Sequence, residues 1–111
     1  MSAWLDIGML DDIPRRGARV VRHHGAEGEI DIAVFRTSSD EVFAVRNACP
    51  HRQGPLSEGI VHGCRVTCPL HQWEIDLETG EAVAPDEGAA PRYPVRVEGG
   101  RVSLRLLALS A

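Results

Sequence analysis

The chain has 111 residues, enough for one hydrophobic core but not for a catalytic domain with a separate regulatory one. Its 12 Lys and Arg against 16 Asp and Glu give a formal net charge of -4, the wrong sign for a reader of nucleic-acid phosphates, while 43% hydrophobic and 25% charged residues are ordinary globular values. No window approaches the roughly 18 apolar residues of a membrane helix, and the first residues lack the basic-then-apolar order of a secretory leader, so a soluble, cytoplasmic chain that meets neither membrane nor nucleic acid is expected.

From the N-terminus, Met9-Leu10-Asp11-Asp12-Ile13 offers one turn of helix before Pro14, and no segment has the apolar period of a long amphipathic helix. His23 and His24 read as a polar strand end. Over residues 29–36, Ile30, Ile32 and Val34 fall on one face. Thr37-Ser38-Ser39-Asp40 then supplies a turn, and residues 41–46 resume a β-rich run, which predicts a hairpin. A second hairpin is predicted from Trp73, Ile75 and Leu77 at period two, a Glu78-Thr79-Gly80 turn and a return through Glu81-Ala82-Val83. The third alternates Val95 and Val97 with Arg96, turns at Glu98-Gly99-Gly100 and returns through Val102, Leu104 and Leu106. Gly and Pro punctuate short segments throughout and nothing resembles a linker, so one all-β domain over residues 1–111 is expected, an antiparallel sandwich or small barrel.

Two short units carry the chemistry. Cys49-Pro50-His51-Arg52-Gln53-Gly54-Pro55 is followed, after 16 residues between His51 and Cys68, by Cys68-Pro69-Leu70-His71-Gln72-Trp73. Each falls where a β-rich run gives way to Pro and Gly, so two loops from one end of a sheet bring together two thiolates and two imidazoles. Such donors suit zinc or an iron-sulfur cluster and exclude calcium and magnesium. Zinc fingers pair Cys with Cys and His with His, whereas here each loop gives one of each, which suits a cluster with two unlike irons. The three cysteines are too few and too oddly numbered for a disulfide framework; Cys64 is left over and reads as an incidental thiol beside a strand. His62 reads as a solvated turn residue rather than a proton carrier. Gly54, Gly59 and Gly63 read as loop formers that permit close backbone approach.

The Cys-x-His and Cys-x-x-His pair resembles the Rieske iron-sulfur family. By that resemblance Cys49 and Cys68 bind one iron and His51 and His71 the other, in one [2Fe-2S] cluster per chain. The implied fold is an antiparallel base with a smaller cluster-binding subdomain over about residues 46–84. The stretch from His51 to Gly59, Gly80-Glu81-Ala82, Asp86-Glu87-Gly88 and Tyr93-Pro94-Val95-Arg96-Val97 resemble the small subunit of assimilatory NAD(P)H-dependent nitrite reductase. Rieske proteins of membrane cytochrome complexes carry a disulfide between the two loops; Gly54 and Leu70 stand at the corresponding positions here, as in the ferredoxin-like branch.

The resemblance implies one-electron transfer, with the chain not catalytic alone. The redox partner would be a large nitrite reductase subunit bearing flavin and sirohaem, in the reduction of nitrite to ammonia for nitrate assimilation. A stand-alone Rieske ferredoxin serving a ring-hydroxylating oxygenase and its reductase is the alternative in the same class. A zinc-stabilised binding module using the same four residues is the alternative outside it. Exchanging two thiolates for neutral imidazoles makes a cluster about two charges less negative, which raises its potential relative to an all-Cys cluster.

Overall fold

The computed structural model describes residues 4–25, 28–50, 54–69, 72–83 and 88–105. Among them ten strands form three antiparallel sheets. The first sheet joins β1 (Trp4–Met9), β10 (Arg101–Arg105) and β9 (Val95–Glu98) in that order. The second orders β2 (Gly17–Gly25), β3 (Gly28–Arg36), β4 (Val42–Arg46) and β8 (Arg92–Tyr93). The third is small, with β5 (Ile60–His62), β6 (Arg65–Thr67) and β7 (Glu74–Asp76).

Strand β3 explains how the layers stack. Its residues Ile32, Ala33, Val34 and Phe35 are all fully buried, so both faces of the strand are covered. Ile32 and Val34 meet Ile7, Ile13, Val102 and Leu104 of the first sheet and its approaches. Ala33 and Phe35 point the other way, into a second core with Leu56, Val61, Val66, Ile75, Leu77, Cys49 and Cys68. The four-stranded sheet is therefore a middle layer. Alternation along one strand feeds two separate cores, one of which contains both motif cysteines.

The first and third predicted hairpins form as read: Phe35 pairs with Phe43 in β3–β4, and Val102 pairs with Val97 in β9–β10. The latter turns through Gly99 and Gly100, at φ 57° and 79°, a left-handed pair that matches strand twist and that glycine tolerates. The second hairpin keeps its turn, Gly80 N–H donating to the Asp76 carbonyl at 2.7 Å, but its return is reduced to a single bridge between Ile75 and Ala82. The predicted helical turn is a 3-10 turn at Leu10–Asp12, where the Asp12 carboxylate accepts from Met9 N–H at 2.9 Å. Leu106 lies outside the described residues.

Arg36, 7% exposed, fastens that turn to the middle sheet. Its guanidinium donates to the Leu10 and Ile13 carbonyls at 3.2 and 3.0 Å and to the Asp40 carboxylate at 2.9 Å. No helix among the described residues is long and apolar enough to cross a membrane.

Candidate metal centre

Cys49 sits just past the end of β4. Asn47 N–H donates to the Asp31 carbonyl at 2.9 Å, which holds the chain against β3 as it leaves the sheet, and the Asn47 Oδ1 accepts from Ser57 N–H at 2.8 Å. The second bond ties the start of the loop to the 3-10 turn Leu56–Glu58 beyond it. Between these anchors Cys49 N–H donates to the Gly54 carbonyl, five positions on, at 2.8 Å.

Cys68 follows β6 directly, and its N–H donates to the Trp73 carbonyl, also five positions on, at 2.6 Å. The two units differ in sequence and in the placement of their histidines, yet each is closed at its neck by the same backbone bond from the cysteine. Both cysteines are fully buried and belong to the same core. His51 and His71 lie outside the described residues. The described half of the expected donor set, two buried cysteines each on a loop of fixed neck, thus lies in one core. Sulfur is a soft donor suited to zinc or to iron in a cluster, and both described sulfurs lie in this one core.

Cys64 is placed differently. It turns the chain between β5 and β6, its carbonyl accepts from Leu77 N–H at 2.8 Å, and its Sγ lies 3.5 Å from the Glu41 carboxylate. Donor atoms of Glu41, Cys64 and Glu78 all lie within 4.8 Å of one another. Partial burial, then the charges of Glu41 and Glu78, push the thiol up to about 11, so it remains protonated at neutral pH. A thiol held neutral in this way is a poor ligand, in line with its reading as incidental.

His62, expected in a turn, ends strand β5 and has its Nε2 2.8 Å from Thr67 Oγ1, with Glu74 at 3.6 Å. The β5–β6 hairpin around it was not foreseen, because three residues a side are too few for alternation to register. Gly59 fits its expected role: a Cβ there would lie 2.3 Å from the Thr67 carbonyl oxygen. His23 lies in β2, as a strand residue. One contributor escaped the sequence reading: Asn47, which carried a signal, since an Asn before a loop commonly caps backbone.

A family model for the Rieske-like [2Fe-2S] domain matches residues 3–105. The ferredoxin component of the naphthalene 1,2-dioxygenase/salicylate 5-hydroxylase systems of a Ralstonia species is 36% identical over 104 residues, covering 93% of this chain and 95% of its own length. A chain from the complex of reduced oxygenase and oxidized ferredoxin in carbazole 1,9a-dioxygenase superposes with a TM-score of 0.84 at 26% identity, over 97% of both chains. A chain assigned as an NADH-dependent nitrite reductase small subunit from Mycobacterium tuberculosis superposes with a TM-score of 0.78 at 25% identity, covering 98% of this chain and 99% of that one.

Proposed function

This chain belongs to the Rieske-like [2Fe-2S] domain family, and on that premise we propose that it is a ferredoxin that carries single electrons to an oxygenase of the ring-hydroxylating type. The observation that carries the reading is the pair of fully buried cysteines in one core, each closing its loop with the same backbone bond. Cys49 and Cys68 would hold one iron and His51 and His71 the other, within a cluster-binding part of about residues 46–84 of a single domain. When bound, a [2Fe-2S] cluster would supply a one-electron couple. The protein's share is to desolvate the sulfurs, fix the loop necks and keep the route short. The molecule is only 19 Å deep along its least axis, so an interior centre is never far from a docked partner.

The match to the ferredoxin relative, 36% identical along nearly its whole length, favours a ferredoxin. A second reading, the small subunit of an NAD(P)H-dependent nitrite reductase, is favoured by the near-complete superposition on the mycobacterial chain. Either role leaves the chain an electron-transfer component that is not catalytic alone.

Stopped-flow mixing separates the two. Reduced protein should be reoxidised rapidly by the oxygenase component of a naphthalene dioxygenase system and should support aromatic hydroxylation with NADH and a flavin reductase. No electron transfer to such oxygenases, together with nitrite consumption when the chain is combined with a flavin and sirohaem large subunit, would replace the first reading with the second.

A further inference from the structure

A third segment approaches both cysteine loops at one residue, Gly88. The chain from Gly80 to Ala90 is tied down at both ends: Ala90 N–H donates to the Gly80 carbonyl at 2.7 Å, Val83 N–H to the Glu74 carbonyl at 2.9 Å, and Ala82 N–H to the Gly88 carbonyl at 2.8 Å. These bonds hold Gly88 in place at φ +135°, a conformation open to glycine and strained for any L side chain. A Cβ at this position would lie 2.9 Å from Pro50 Cβ and 3.4 Å from Pro50 Cγ, and 4.0 Å from the Trp73 ring at Cζ3. Pro50 is bonded to Cys49, and Trp73 supplies the carbonyl that closes the Cys68 loop.

We propose that Gly88 is a positioning residue that sets the two cysteine loops against each other, because it carries no side chain to collide with Pro50 or to press on Trp73. With Gly54 at one of the positions where a cross-linking cysteine would stand, the loops depend on packing for their relative placement. Gly88 is the point where one anchored segment approaches both. A methyl group here cannot be absorbed by a flexible side chain. The proline ring is rigid, so either Pro50 moves and takes Cys49 with it, or the 80–90 segment lifts off Trp73.

The inference rests on the cluster-holding reading above, so iron and sulfide are first assayed in the wild-type protein. Gly88→Ala is then compared with Gly28→Ala, which imposes similar strain at φ +106° with nothing within 4 Å. Gly88→Ala should lose iron to a chelator about tenfold faster than wild type and show altered g-values and midpoint potential. Gly28→Ala should match wild type, and Gly88→Ala with Pro50→Gly should recover both rate and spectrum. If Gly88→Ala does not fold, Trp73→Phe, which withdraws the ring edge from Gly88, should also speed iron loss. A Gly88→Ala protein that loses iron no faster than Gly28→Ala, or a double variant without recovery, overturns the proposal. A wild type without iron and sulfide refutes the cluster reading instead. The positioning role is then decided by urea unfolding, where a double-mutant cycle between positions 50 and 88 must show coupling for it to stand and additivity would refute it.

Discussion

Arg36 is nearly sealed from water and bonds two carbonyls of the Leu10–Ile13 stretch as well as Asp40. Arg36→Met would fill the space but leave the Ile13 carbonyl without its buried donor. We expect a loss of about 2–3 kcal/mol in urea unfolding. Asp40 answers to the same cluster: bonds from Arg36 first, then Arg15, hold its carboxyl below the usual range. Arg101, then the Gly8 N–H, do the same for Asp6. The folded state thus binds these protons less tightly than the unfolded chain. Their stabilising contribution is complete above the unfolded carboxylate range and is lost as pH falls through the folded values. Urea midpoints between about pH 5 and pH 2 should therefore fall, and Asp40→Asn should flatten that decline. An unchanged slope would remove Asp40 from the account. Among the cysteines, Cys64→Ser should leave iron content at wild-type level while Cys49→Ser or Cys68→Ser abolishes it, as iron and sulfide assays will read.

At the scale of elements, strand β1 is held to more than its neighbour. Trp4 has Arg96 at 4.6 Å from its ring centroid and Arg105 at 5.5 Å. Arg105 is on β10, the adjacent strand, but Arg96 is on β9 beyond it, so the indole spans the outer face of the sheet. Trp4→Ala should cost about 1 kcal/mol or slightly more in thermal unfolding, and Trp4→Phe part of that. Elements whose alternation ran four residues or more were legible in the sequence, as in β3–β4 and β9–β10. The β5–β6 hairpin was not, since Ile60-Val61-His62 and Arg65-Val66-Thr67 each offer one buried residue between two more exposed ones. Strand β3 shows a different limit. The Ile30, Ile32, Val34 face was visible, but the opposite burial of Ala33 and Phe35 depends on a third layer that periodicity within one strand cannot report. The ligand motif was legible because metal chemistry demands particular donors at short spacing. The two closing bonds at Gly54 and Trp73 were not, because any residue offers a carbonyl.

For the molecule as a whole, three layers place the cysteines in the core between the middle sheet and the small one. The described surface leaves Ile60 as its most exposed large apolar side chain, with Leu5, Met9, Val20 and Val97 less so. In a brief redox encounter complementary charge sets the rate of association more than the final affinity. Cys49, His51, Cys68 and His71 are proposed to hold one Rieske cluster. The most direct test is low-temperature EPR of anaerobically purified, dithionite-reduced protein beside the His51→Cys and His71→Cys variants. The wild type should show a rhombic signal with average g below about 2.0, replaced in each variant by a different signal or by none. A wild type that is colourless and EPR-silent and contains one zinc, or variants that keep the wild-type signal, would contradict this assignment.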